Sequence, residues 1–78
     1  MWYTYVLKSK RNGYLYKGST NNLKRRKLEH DSGNVESTKS KRPWELIYYE
    51  ACLSEEKAVK REKYFKTGFG RKFLKSRI

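Results

Sequence analysis

The chain lacks most of what would place it outside the cell or in a bilayer. Its 78 residues include one cysteine, Cys52, so no internal disulfide and no cluster of metal-binding cysteines can form. A cytoplasmic protein is the expectation that follows, with Cys52 as a half-buried strand thiol rather than a reactive one. No apolar run is long enough to span a bilayer, and Met1-Trp2-Tyr3 does not open a signal-peptide pattern. The single proline, Pro43, suits the start of a strand, where a missing N–H matters least. No internal repeat or linker is visible. One domain over residues 1–78, with a modest core, is the expectation.

Acidic residues are also scarce. Eight Asp and Glu face twenty Lys and Arg, a net charge of +12. Such a charge repels itself on a compact domain and points to a polyanionic partner, nucleic acid ahead of a membrane surface. The basic residues are spread along the chain rather than gathered in a tail. With aromatics at 15%, this argues for a folded domain and against a disordered arm.

The elements can be read in order. Trp2 to Leu7 is β-branched and aromatic and predicts a first strand. Asn12-Gly13 is a hairpin signal, so a second strand, Tyr14 to Lys17 or Gly18, should pair antiparallel with the first. Alternation puts Tyr3, Tyr5 and Leu7 on one face and Tyr14, Tyr16 and Gly18 on one face. If the register brings those faces together, Tyr5 and Tyr16 become neighbours. Thr20, Asn21 or Asn22 caps a basic helix that stops at Ser32-Gly33. Residues 31–42, rich in Ser, Gly, Asn, Thr and Lys, read as a mobile, basic surface loop. Trp44 to Tyr49 predicts a third strand, extendable to Cys52. Ser54 caps a second helix, with Glu55 and Glu56 in its first turn, that runs to about Lys66 and stops at Thr67-Gly68. Arg71 to Ile78 predicts a short basic helix packing Phe73 and Leu74.

Three polar residues fall where apolar ones are expected. Leu23, Arg26 and His30 lie along one line of the first helix, and Ala58, Glu62 and Phe65 along one stripe of the second. A buried charge without a partner is costly, so Arg26 and Glu62 need a reason. Each has a plain structural one. Arg26 and Glu62 can close an ion pair, His30 can be a satisfied helix histidine, Tyr5 and Tyr16 can be strand packing, and Gly18 a turn. Taken together, in a chain of this charge, a cation, a carboxylate and a histidine at core-facing positions favour one shared site over five separate explanations.

The ordered set Tyr3-Thr4-Tyr5-Val6-Leu7, Tyr16-Lys17-Gly18, Arg26, His30 and Glu62 resembles the GIY-YIG endonuclease superfamily. The likeness covers nearly the whole chain, including Ser37 to Trp44 and Ala58 to Lys63. It is nearest to the small stand-alone members, which themselves resemble the N-terminal nuclease domain of the bacterial excinuclease. It departs in two places: Tyr3-Thr4 precedes Tyr5 where glycine and isoleucine are usual, and Lys17 replaces an apolar residue. No match appears for the asparagine that some members carry after Glu62.

The resemblance implies an α+β fold, a small three-stranded antiparallel sheet flanked by about three helices. It implies a magnesium-dependent endonuclease, with manganese an alternative metal, that hydrolyses DNA phosphodiesters with little sequence specificity in repair or recombination. Tyr5 or Tyr16 would act as the base that activates water, Arg26 would bind the scissile phosphate, and His30 would hold or relay a proton. Glu62 would ligate the metal, and Lys17, Gly18, Lys39, Lys41 and Arg42 would contact substrate. DNA is expected ahead of RNA, with a protein partner as one source of specificity. Lysines 39, 41, 60, 63, 66, 72 and 75 form a plausible phosphate track.

The chemistry is coherent. A phenol, with a usual pKa of about 10, is a poor base near neutrality. Arg26, a metal and Lys17 would favour the phenolate, or His30 would take the proton and leave the tyrosine as a relay. Arg26 offers a phosphate two parallel donors, and a lone carboxylate suits magnesium held largely by water and substrate. The alternative is a non-catalytic nucleic-acid-binding module of the same fold. A small RNA-binding protein that stacks bases on its strands is a weaker third reading.

Overall fold

The computed structural model describes all residues, Met1–Ile78. Strands β1 (Trp2–Ser9), β2 (Leu15–Thr20) and β3 (Trp44–Cys52) form one antiparallel sheet in the order β2-β1-β3. Helices α1 (Leu23–Asp31), α2 (Glu55–Phe65) and α3 (Gly68–Lys75) complete the α+β architecture expected from the resemblance, and a short 3-10 turn spans Lys39–Lys41. No helix is long and apolar enough to cross a membrane.

The central strand has a core on each face. Tyr5, Leu7 and Trp44 form one buried cluster, with Tyr16, Leu23 and Leu46 against it. Val6, Phe65 and Leu74 form the other, with Leu15, Ile47, Tyr48, Tyr64 and Phe73 against it. Alternation along β1 sends Tyr5 and Leu7 toward α1, and Thr4 and Val6 toward α2 and α3. The Thr4 hydroxyl donates to the Ala58 carbonyl at 2.8 Å, tying β1 to α2. A bulge opposite Val6 and Leu7 leaves Ile47 as the extra residue of β3, so Ile47 and Tyr48 both reach the Val6 cluster.

The caps follow local chemistry. Of the three candidates, Asn22 starts α1, its side chain accepting from the Arg25 N–H, and Ser54 accepts from the Lys57 N–H to start α2.

Three features differ from the sequence expectation. Strand β2 begins at Leu15 and runs on to Thr20, because the N-terminal half of the long β1 needs partners: Thr4 pairs with Ser19 and Tyr3 with Thr20. Tyr14 is left outside the strand, half exposed, with the Lys41 ammonium 4.9 Å from its ring centre. Residues 31–42 are not merely surface. Thr38 is buried, the Trp44 indole N–H donates to its carbonyl at 3.1 Å, and the Ser9 hydroxyl donates to the Lys41 carbonyl at 2.7 Å. Helix α3 starts at Gly68 rather than Arg71, and Thr67 caps it instead of merely ending α2. Glycine is a poor helix former, which hid this turn. Gly70 is required there because a Cβ would run into the Tyr64 carbonyl, where α3 lies against the end of α2.

Candidate active site

The register decides what meets what. Tyr5 pairs with Gly18 and Leu7 with Tyr16, so Tyr5 and Tyr16 are diagonal neighbours on the α1 face, ring centres 6.3 Å apart. The Tyr5 phenol lies over Gly18, where a Cβ would sit 2.5 Å from its hydroxyl oxygen. Only glycine leaves room for that hydroxyl.

The Tyr5 hydroxyl reaches the far end of α1, where its oxygen is 2.9 Å from His30 Nε2. His30 is fully buried, and its Nδ1 is 2.8 Å from Thr38 Oγ1. The Thr38 hydroxyl in turn donates to the Val35 carbonyl at 3.3 Å. That last bond orients the chain. With the Thr38 proton spent on Val35, Nδ1–H donates to Oγ1, Nε2 is left as an acceptor, and Tyr5 donates to it. Tyr16 packs edge-on to the same imidazole, ring centres 5.0 Å apart.

The electrostatics agree with this direction. Burial pushes the His30 imidazolium down to about 4, and the nearby Arg26 charge pushes the same way, so His30 is neutral near pH 7. Burial raises the Tyr5 phenol to about 12, outweighing the Arg26 guanidinium beside it, with Tyr16 and Glu62 adding to the rise. The expected lowering of the phenol's pKa is therefore corrected: desolvation of so buried a ring wins over one neighbouring cation. Burial also opposes the Arg26 charge, but the Tyr5 hydroxyl and Glu29 more than compensate and hold it firmly protonated. Arg26 is half-exposed, and its acidic partner is Glu29 on the same helix at 3.0 Å, not Glu62.

Glu62 stands in the other layer. Ser19, on the opposite side of β2 from Gly18, donates its hydroxyl to Glu62 Oε1 at 2.9 Å, and Lys66 Nζ lies 3.0 Å from Oε2. The Tyr5 hydroxyl against Gly18 and the carboxylate on Ser19 thus flank consecutive residues of an edge strand. Tyr5, Tyr16, Arg26 and His30 converge on one face, while Glu62 approaches over the edge and is near enough for its charge to bear on Tyr5. Lys17 turns away from the phenols and shares the α2–α3 side with Lys66 and Arg71. The loop cations have partners of their own: Lys39 pairs with Glu36 at 3.3 Å, Lys41 covers Tyr14, and Arg42 Nε donates to the Lys39 carbonyl at 2.8 Å.

No group of three or more metal-binding side chains exists. The donor set that Glu62 offers is one fixed carboxylate. That fits a magnesium-like ion completed by waters and substrate oxygens, and does not fit an all-protein cage. Sequence reasoning missed Thr38 and Ser19, which hold His30 and Glu62 in place. Strand alternation places Ser19 opposite Gly18, but nothing local marks Thr38.

Comparison with known proteins gives the chain's family. The family model for the GIY-YIG catalytic domain matches residues 1–75. A UPF0213 protein of Bacillus pumilus is 42% identical over 83% of this chain and 66% of its own length. One from Staphylococcus saprophyticus is 36% identical over 94% of this chain and 89% of its own. The chain spans 56% of a further relative, from Desulfotalea psychrophila. The solution NMR structure of a UPF0213 protein from Bacillus halodurans superposes with a TM-score of 0.58 at 31% identity, covering 97% of this chain and 84% of that one. The chain belongs to the GIY-YIG family of nuclease domains, and its relatives are small UPF0213 proteins.

Proposed function

We propose that this protein is a metal-dependent endonuclease that hydrolyses DNA phosphodiesters. The observation that carries the reading is the oriented chain Tyr5–His30–Thr38, with Arg26 beside it and Glu62 across the edge strand. Arg26 would bind the scissile phosphate with two parallel N–H donors. As water attacks, it would pass a proton to the Tyr5 oxygen while Tyr5 gives its own to His30 Nε2. The raised phenol pKa makes a standing phenolate unavailable, so the tyrosine serves as a relay. An arriving phosphate offsets the Arg26 charge that depresses His30, which makes the imidazole a better acceptor when substrate is bound. Tyr16, half-exposed and against the same imidazole, walls the site.

Glu62, fixed by Ser19, is the residue that would hold magnesium or manganese. Such an ion, when bound, supplies charge stabilisation at the phosphoryl oxygens. Lys66 neutralises the carboxylate in the free protein and would release it to the ion. Lys39, Lys41 and Arg42 are assigned to the phosphate backbone outside the cut point, where they add affinity without sequence information.

The test is cleavage of labelled flap, junction and plain duplex DNA by the purified chain with magnesium or manganese. Wild type should cut, while Glu62→Ala and Tyr5→Phe should bind but not cut. No cleavage of any substrate by wild type, or equal cleavage by Glu62→Ala, would leave a nucleic-acid-binding module instead.

A further inference from the structure

The lysines and arginines are scattered along the sequence, but the fold gathers one set of them beside Glu62. On α2, Lys66 lies one turn beyond Glu62 and pairs with it at 3.0 Å. Arg71, the next cation along the chain, reaches back so that its Nη1 donates to the Lys66 carbonyl at 2.9 Å, which ties it to the α2–α3 junction. Gly68, Arg71, Lys72 and Lys75 line one shallow depression that has no apolar wall. At 3.6 residues per turn these four fall within about 100° of the helix circumference, while Phe73 and Leu74 turn into the core.

Strand β2 supplies the facing row. Leu15, Lys17 and Ser19 share one side of it by alternation. Leu15 borders a cleft with Arg71 and Lys75 at one end of that row, and Ser19 holds Glu62 at the other. Lys17 stands between them; burial and the charges of Arg71 and Lys66 hold its ammonium below the usual lysine range. No acidic side chain lies within ion-pair distance of Lys17, Arg71, Lys72 or Lys75. Other cations are spent locally: Lys60 pairs with Glu56 at 3.4 Å and Lys39 with Glu36 at 3.3 Å. Like charges kept this close repel one another, so the arrangement favours an anion. From Ser19 to Leu15 is about 13 Å of strand, while phosphates of one duplex strand follow every 3.4 Å or so along the axis. A row of this length fits a polyanion better than a single small ion.

We propose that Lys17, Lys66, Arg71 and Lys72 form a phosphate track on the α2–α3 side of β2, along which the nucleic-acid backbone flanking the cut point lies. The proposal rests on the nucleic-acid reading above and adds a direction to it. Arg26 takes the scissile phosphate on one face of the sheet, and the neighbouring backbone crosses the β2 edge past Glu62 toward α3. The track touches no base edges, so it supplies affinity without sequence preference.

The test is DNA binding without divalent metal, so that it does not depend on cleavage. The probe is a labelled plain duplex, read by fluorescence anisotropy over a salt series. The combined variant Lys17→Gln/Arg71→Gln/Lys72→Gln should flatten the slope of log affinity against log salt by about 2–3 and weaken binding at low salt at least about tenfold. Arg71→Gln alone should flatten the slope by about 1, while Arg71→Lys keeps the charge and should not; this pair carries the test if the combined variant does not fold. Lys24→Gln removes an exposed cation of α1 beside the opposite edge strand, β3, and should leave the slope unchanged. Slopes unaltered by the track variants, or flattened as much by Lys24→Gln as by Arg71→Gln, would overturn the proposal. Intact DNA binding with lost binding to phosphatidylglycerol vesicles would overturn it in favour of a membrane surface. No cleavage by wild type, with the salt slopes as expected, would overturn the nuclease reading alone.

Discussion

His30 is the only histidine in the chain, which makes its buried state measurable. Protonating it in the folded protein would turn Nε2 from an acceptor of the Tyr5 hydroxyl into a second donor, beside Arg26 and away from water. Its pKa is about 4 when folded against 6.5 for the free side chain. A folded pKa below the unfolded one means that the unfolded chain binds the proton more readily. Stability therefore rises with pH between the two values and is lost as pH falls through them. Integrating from about pH 7.5 to about pH 5 gives a loss of about 2 kcal/mol from this one group. For a domain of this size, that is a fall in melting temperature of roughly 10 °C.

The assay is urea and thermal unfolding by circular dichroism across that range, for wild type and His30→Gln. No other side chain ordinarily titrates there. Glu50 is held below the usual carboxylate range by Arg61 and Tyr48, against the pull of burial, so its contribution is lost only at lower pH. Wild type should lose stability steadily on acidification while His30→Gln stays flat. An NMR titration of the His30 ring should show no charging above about pH 5. Parallel stability curves for the two proteins, or a ring that titrates near its free value, would refute the neutral-acceptor reasoning.

Three further outcomes follow from the same geometry. Gly18→Ala puts a methyl group 2.5 Å from the Tyr5 hydroxyl, so it should lower stability by about 1–3 kcal/mol and abolish cleavage, read by unfolding and gel assays. Arg26→Lys keeps the charge but loses the paired donors; cleavage should fall at least tenfold, by about 1.4 kcal/mol or more, with duplex binding little changed. Thr38→Val removes the acceptor for His30 Nδ1–H, so the imidazole should lose its fixed tautomer, visible in ring nitrogen shifts, and stability should drop by about 1–3 kcal/mol.

Local chemistry carried most of the element order. β-branched and aromatic runs mark the strands, and Ser54 and Asn22 cap as side chains of their type do. The beginning of α3 escaped notice because its two glycines argue against a helix, and the reason for Gly70 lies in the Tyr64 carbonyl of a different helix. The buried role of Thr38 was equally invisible. Nothing around it in a Ser- and Lys-rich stretch says that His30, eight positions earlier, needs an acceptor there.

By itself, then, the sequence determined the elements, the excess positive charge, the candidate polar residues and the family they match, because each is a property of neighbouring residues or of simple spacing. Tertiary structure alone decided that Tyr5 lies over Gly18, that Glu62 comes from the opposite layer and that the phenol is harder rather than easier to ionise. Those outcomes depend on strand register and on which groups packing shuts away from water, and both are set by parts of the chain far apart along it.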